Sequence, residues 1–135
     1  MALAYLDSCV LIYALEEDPQ YGPPARATLA ELRQQRLQPV ISALVRLECL
    51  VQPMAVANSE RLHRTHSFLQ LFPILAIQDS TFELATELRA RHRLRTPDAL
   101  HLATALSHGG QSLVTNDQRL SQAAGSLDIR TLAGH

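Results

Sequence analysis

The chain has 135 residues and a formal net charge of −1, with 47% hydrophobic and 19% charged residues. This composition is typical of a folded protein rather than a disordered one, and the length suits one domain spanning residues 1–135. The near-neutral charge excludes a bulk basic field for binding nucleic acid, so any such activity must depend on local patches. All 12 basic residues are arginine, and lysine is absent.

Several features bear on the compartment in which the protein works. No apolar run approaches the roughly 20 residues of a membrane span. The N-terminus lacks a basic segment and Asp7 interrupts the only early apolar run, so we expect no signal peptide. Cys9 and Cys49 lie in apolar segments and are interpreted as buried thiols of a reducing compartment. We therefore expect a cytoplasmic protein without membrane contact.

Short apolar segments alternate along the chain with longer segments of helical spacing. Strands are predicted, in chain order, at Ala2–Leu6, Gln38–Ile41, Ile74–Ile77, Ser112–Thr115 and Asp128–Leu132. Helices are predicted at Cys9–Leu15, Pro24–Arg36, Ala43–Gln52, Ser59–Phe72, Ser80–Arg91, Pro97–His108 and Gln118–Ala124. This alternation predicts an α/β fold, with a mostly parallel sheet of about five strands covered by helices on both faces.

Acids follow two of the predicted strands. Asp7 comes directly after the first strand, and Asp117 lies two residues beyond the fourth. Because the carboxyl ends of parallel strands share one edge, where ligands bind in such folds, we expect both acids at that edge. Capping of the strand ends is an alternative explanation for either acid alone.

A third acid, Glu48, is predicted on the apolar face of a helix. Its neighbours at i−4 and i+3 are Leu44 and Val51, so the side chain is expected to point with the buried face. A salt bridge with Arg46 or Arg64 is the alternative.

A fourth acid, Asp98, lies in the first turn of a helix and shares its inner face with His101. Thr96 is predicted to cap this helix, with Pro97 at the first helical position. An acid in the first turn also interacts favourably with the helix dipole, which is a structural explanation for Asp98. We interpret His101 as a buried or hydrogen-bonded histidine rather than a proton shuttle.

Four carboxylates that converge would repel one another, and some of their pKa values would rise, unless a positive group neutralised them. Lysine is absent, and no arginine is adjacent in sequence to Asp7, Asp98 or Asp117. A hard divalent cation such as Mg²⁺ is therefore the predicted partner, as one ion or two. Such a site suits hydrolysis of phosphate esters by a metal-activated water, without a nucleophilic serine or cysteine.

The segments that hold these acids resemble the motifs of PIN domains. They are "YLDSCVLI" at the start, "SALVRLECL" near the middle, and "TPDALHLATAL" and "LVTND" late in the chain. The likeness spans essentially the whole chain, in order, and its "DALHLATAL…LVTND" portion is the most specific. The chain looks most like the VapC-type toxins of bacterial toxin–antitoxin pairs.

The resemblance implies a PIN-like three-layer α/β/α sandwich and an endoribonuclease that depends on Mg²⁺ or Mn²⁺. The family's acidic positions match Asp7, Glu48, Asp98 and Asp117, which implies catalytic and metal-binding roles for all four. A homodimer is also implied, as is a small antitoxin whose helix or extended tail fills the groove near the site.

Three polar residues adjoin the strand-end acids in sequence. Ser8, Thr115 and Asn116 are interpreted as groups that orient the acids or their bound waters. Hydrogen bonds of turns and caps are the alternative role for these three side chains.

An acidic site needs positive charge around it to hold RNA. The densest basic run is "RARHRLR", which leads directly into the helix that carries Asp98. We predict RNA contacts by its arginines, since guanidinium groups bind phosphate through two hydrogen bonds. A solvated helix end is the alternative. The four arginines are Arg89, Arg91, Arg93 and Arg95.

The sequence leaves two other functional classes open. In an aspartyl-phosphate phosphatase of the haloacid dehalogenase type, Asp7 would be a nucleophile. Such enzymes usually carry a second acid two residues on, where this chain has Cys9, and they use a lysine. A non-catalytic binding module lined with acids is the third interpretation.

Overall fold

A five-stranded parallel sheet forms the centre of the computed structural model, which describes residues 2–132. The strands are β1 (Leu3–Leu6), β2 (Gln38–Ser42), β3 (Ile74–Leu75), β4 (Ser112–Thr115) and β5 (Asp128–Thr131). Their order in the sheet is β3-β2-β1-β4-β5, and every neighbouring pair is parallel. The chain moves from β1 to β2 on one side and later to β4 on the other, so the switch point lies between β1 and β4.

Helices on both faces of the sheet complete an α/β/α sandwich, which confirms the predicted fold class. They are α1 (Ser8–Glu16), α2 (Gly22–Gln34), α3 (Ala43–Ala55), α4 (Ser59–Leu69), α5 (Asp79–His92) and α6 (Thr96–Ser107), followed by a 3-10 helix (Gln118–Ala123). No helix within residues 2–132 is long and apolar enough to cross a membrane.

The boundaries differ from prediction at several ends. The strand predicted at Ile74–Ile77 pairs only over Ile74–Leu75, and the last predicted helix is of the tighter 3-10 type. Thr96 does not cap α6, because it is the first helical residue and Arg95 is the extended residue before it. Pro97 is tolerated there because the first amide groups of a helix need no intrahelical partner.

β1 and α6 both lie in the buried core. In β1, Ala4, Tyr5 and Leu6 are fully buried. The residues from Ala99 to Ala105 are all buried, so α6 is covered on every side and its polar side chains must find partners inside the protein. His101 is one of these side chains, and its partners define the candidate site.

Candidate functional site

Asp7 lies at the switch point, where β1 passes into α1. Its backbone amide donates to the carbonyl of Val114 at 2.9 Å, which ties the ends of β1 and β4 together. The Thr115 hydroxyl donates to Oδ2 of Asp7 at 2.8 Å, and the Ser8 hydroxyl donates to Oδ1 at 3.3 Å. Both carboxylate oxygens are thus oriented by hydroxyl groups, while 16% of the side chain remains exposed.

His101 lies close to both Glu48 and Asp7, because α3 and α6 reach the same edge of the sheet. Nε2 of His101 lies 2.6 Å from Oε1 of Glu48 and 3.6 Å from Oδ1 of Asp7. One ligand atom from each of the three residues lies within 4.8 Å of the others. This is the group of side chains in the described part of the chain that could hold a metal ion.

The Glu48 carboxylate is held in its ionised form. Burial raises its pKa, but the hydrogen bond from His101, together with Ser8 and Arg95, outweighs burial and leaves the pKa below its usual value. The predicted helix face was partly wrong, since Val51 is exposed while Glu48 is half-buried. Among residues 2–132 the partner of the Glu48 carboxylate is His101, through a hydrogen bond, not Arg46 or Arg64 as the alternative interpretation had it.

Asp98 and Asp117 lie outside that group and face a cavity of about 330 Å³. Nε of Arg95 donates to Asp98 at 3.1 Å. Arg119 donates to both oxygens of Asp117, at 2.9 and 2.8 Å, and this pairing lowers the pKa of Asp117. The cavity is lined by His92, Arg93, Leu94, Arg95, Asp98, Asp117, Arg119 and Gln122.

These two ion pairs correct one step of the sequence argument. No arginine is adjacent to Asp98 or Asp117, but Arg95 lies three residues before the first and Arg119 two residues after the second. A helical turn and a short turn bring each guanidinium back to its acid. Arginine therefore neutralises these two acids, and a cation is not their only possible partner. Both arginines are largely exposed, so each pair is weak and open to exchange.

The two groups of acids share one edge of the sheet. The backbone amide of Asp117 donates to Oγ1 of Thr115 at 3.3 Å, and the same hydroxyl donates to Asp7. The charge of Arg95 also acts on both Glu48 and Asp117. The four acids therefore form two neighbouring pairs, Asp7 with Glu48 and Asp98 with Asp117.

Of the other predicted residues, some lie beside the acids and others do not. Asn116 interacts with Tyr13 of α1, and its Oδ1 is buried without a hydrogen-bond partner in the described structure. Of the basic run, Arg93 and Arg95 line the cavity of Asp98 and Asp117. Arg89 instead donates to the carbonyl of Leu94 at 2.8 Å. Arg91 is exposed near the end of α5.

His101 contacts two of the acids, although the sequence analysis did not include it among the site residues. The interpretation as a buried, hydrogen-bonded histidine is confirmed, but its contact with two acids was not foreseen. The available signal was a histidine in the middle of "DALHLATAL", a segment too apolar to leave an imidazole unsatisfied.

The PIN domain family model matches residues 4–126. The chain belongs to the PIN domain family. This PIN domain matches no curated protein sequence, but its fold is similar to that of several solved structures. One is a toxin–antitoxin complex from Klebsiella pneumoniae, at 25% identity and a TM-score of 0.75 over 96% of this chain and 97% of that one.

Two further structures extend the likeness. FitAcB from Neisseria gonorrhoeae has 20% identity and a TM-score of 0.78, with 98% of this chain and 99% of that chain covered. A member of the VapBC family, VapBC-5 from Mycobacterium tuberculosis, has 19% identity and a TM-score of 0.64, with 97% and 99% covered. The PIN fold and the likeness to toxins of the VapC type, both predicted from the sequence, are confirmed.

The donor atoms of the site fit a hard divalent cation. Asp7 and Glu48 contribute carboxylate oxygens at one partly exposed point, and Asp98 and Asp117 add two more acids beside it. Mg²⁺ and Mn²⁺ prefer such oxygen ligands and retain waters in their remaining positions.

Proposed function

We propose that this PIN domain, as one unit over residues 1–135, is an endoribonuclease that depends on Mg²⁺ or Mn²⁺ and is the toxin of a toxin–antitoxin pair. The observation that carries the proposal is the convergence of Asp7 and Glu48, from separate elements, at the switch point of a PIN fold. Within residues 2–132 neither carboxylate forms an ion pair with an arginine, and carboxylates held in this way are expected to bind a cation. Family membership and the toxin–antitoxin structures of similar fold support the rest.

Asp7 and Glu48 would hold the cation, with Asp98 and Asp117 completing its acidic surroundings. A divalent cation supplies the positive charge that favours deprotonation of a water and stabilises the charge that develops on phosphate. Ser8 and Thr115 keep Asp7 oriented by donating to its two oxygens. Carboxylates that accept hydrogen bonds from the attacking water would align it with the phosphodiester bond.

The arginines at the cavity rim would bind the RNA backbone. Arg95 and Arg119 are largely exposed, and each donates to an acid that faces the same cavity. A phosphate that enters the cavity would compete for these donors, because guanidinium groups bind phosphate as readily as carboxylate. Arg93 lines the same cavity, whereas the contacts proposed for Arg89 and Arg91 would lie along the outer end of α5.

A second cavity, of about 650 Å³, lies between α1, α2 and α4 and fits an antitoxin segment. Its apolar lining includes Leu29, Phe68 and Leu71, and its basic residues include Arg33 and Arg64. A helix or extended tail with apolar residues on one side and acids on the other would complement it. Co-expression with the product of the adjacent gene should neutralise the wild-type protein but not the variant Leu71→Asp.

The outer face of α3 supports a homodimer. Leu47, Val51 and Met54 are exposed and recur at helical spacing, so they form one apolar stripe along the helix. A matching stripe of a second copy would bury this surface in a two-fold symmetric contact.

The test of the activity compares two aspartate-to-asparagine variants. The purified protein should cleave single-stranded RNA with Mg²⁺ or Mn²⁺ and lose cleavage in excess chelator. Asp7→Asn should lower the rate at least 100-fold with the circular dichroism spectrum unchanged. Asp128→Asn should cleave as the wild type does. It removes the same charge at the start of β5, and therefore at the amino-terminal ends of the strands, away from the site.

Cleavage by Asp7→Asn, or by the wild type in chelator, would contradict the proposal. A phosphoryl group trapped on Asp7 would indicate a phosphatase instead. Absence of divalent binding by the wild type would favour a non-catalytic binding module.

A further inference from the structure

A buried chain of hydrogen bonds runs from the sheet into the acidic site. The hydroxyl groups of Ser42 and Tyr5 lie 2.7 Å apart, and the Tyr5 hydroxyl lies 2.7 Å from Nδ1 of His101. Nε2 of the same imidazole is 2.6 Å from Glu48. This series of hydrogen bonds joins β1, the N-cap of α3 and the middle of α6, and it ends on a proposed metal ligand.

One direction of the hydrogen bonds satisfies every group, because the Glu48 carboxylate at the end of the series can only accept, and Nε2 of His101 must then donate to it. Oγ of Ser42 accepts from the backbone amide of Val45 at 3.5 Å, so its proton is free to point at Tyr5. A phenol ordinarily loses its proton only near about pH 10, so Tyr5 is neutral and keeps a proton to donate. Nδ1 of His101 then accepts this proton, and the ring proton sits on Nε2, facing Glu48.

The imidazole lies behind the acids rather than among them. The side chain of His101 is 2% exposed, against 27% for Glu48 and 16% for Asp7. A hydrogen bond of 2.6 Å also occupies the Nε2 direction that a metal ligand would need free. His101 is therefore arranged to hold Glu48 while the free oxygens of the carboxylates face the opening.

We propose that His101 is a positioning residue, which donates its Nε2 proton to Glu48 in the tautomer set by Tyr5 and so fixes Glu48 as an ionised ligand for a divalent cation. The second half of this inference rests on the proposed function. Partners that hold a metal-binding carboxylate typically change metal affinity 10- to 100-fold when they are removed.

The experiment measures Mn²⁺ binding by calorimetry in the full chain and three variants. His101→Leu removes both nitrogen atoms and should weaken binding about 10-fold or more. His101→Gln keeps an amide N–H three bonds from Cβ, as Nε2 is, and should recover most of the affinity. Tyr5→Phe should weaken binding by a smaller factor, because the imidazole is then free to change tautomer.

Nitrogen chemical shifts of His101 in the metal-free wild type give a second readout that depends on neither metal nor activity. They should report a proton on Nε2 and none on Nδ1, and Tyr5→Phe should give a mixture. This measurement keeps the inference testable even if His101→Leu fails to fold.

Three results would overturn the inference. They are wild-type affinity in a folded His101→Leu, a proton on Nδ1 alone, and nitrogen hyperfine coupling between His101 and bound Mn²⁺, which would make it a direct ligand. If the wild type binds no Mn²⁺, the proposed function fails, and the nitrogen shifts still decide whether His101 donates to Glu48.

Discussion

Replacing Asp7 by asparagine should make the metal-free protein no less stable, yet abolish its stabilisation by Mn²⁺. The substitution keeps the size of the side chain and removes one of two carboxylates whose oxygens lie within 4.8 Å of each other. Two unit charges at that separation repel by about 3 kcal/mol at an effective dielectric constant of about 20. Partial exposure of both groups reduces the repulsion to about 1–2 kcal/mol.

Against this reduced repulsion, the substitution loses a single hydrogen bond. Asparagine keeps one oxygen that can accept from Ser8 or Thr115, but its amide nitrogen cannot accept from the other hydroxyl. The longer bond, from Ser8 at 3.3 Å, is the one expected to be lost, and its loss costs about 1 kcal/mol. The free energy of unfolding should therefore stay the same or rise by about 1 kcal/mol, which moves the melting temperature up by about 0–4 °C.

Thermal unfolding with and without Mn²⁺ tests both halves of the prediction. At 100 times its dissociation constant, a ligand bound only by the folded state stabilises it by about 2.7 kcal/mol, which is about 10 °C for a domain of this size. Wild type and Asp128→Asn should gain this increment, and Asp7→Asn should gain none. A fall of more than about 5 °C in metal-free Asp7→Asn, or an equal response to Mn²⁺, would refute the reasoning.

Three further predictions concern a contact of Asp7, the two cysteines and the outer face of α3. Thr115→Val should lower the free energy of unfolding by about 2 kcal/mol, because a buried hydroxyl bond to a carboxylate is lost. The matched change Thr86→Val on exposed α5 should cost less than about 0.5 kcal/mol in the same urea titration, and equal losses would contradict the role of the Asp7 contact. Burial raises the pKa of both Cys9 and Cys49 to about 12, so neither thiol should react with iodoacetamide in the native protein at pH 8; rapid native labelling would show otherwise. Leu47→Arg should convert a dimer to a monomer in analytical ultracentrifugation, and an unchanged mass would exclude the α3 stripe as the contact.

The sequence predicted the fold well because the signals for it are local. Alternation of short apolar segments with helical periodicity requires only nearest neighbours along the chain, and the central strands Gln38–Ser42 and Ser112–Thr115 appear where their apolar residues indicated. The same reasoning failed for the length of β3, which is an outermost strand, and for the type of the last helix, which is 3-10. The pairing of an outermost strand and the choice between an α-helix and a 3-10 helix depend on what packs against them.

The sequence by itself also placed two acids, Asp7 and Asp117, after predicted strands and therefore at one edge of a parallel sheet. Tertiary structure alone decided which group is the partner of Glu48. The bond between Glu48 and His101 joins residues 53 positions apart, and the rotation of two helices about their axes sets it. By contrast, Arg95 and Arg119 lie three and two residues from Asp98 and Asp117, so these two contacts are local in the sequence. Periodicity shows which face of an element is buried, whereas hydrogen-bond partners depend on packing between elements that are distant in sequence.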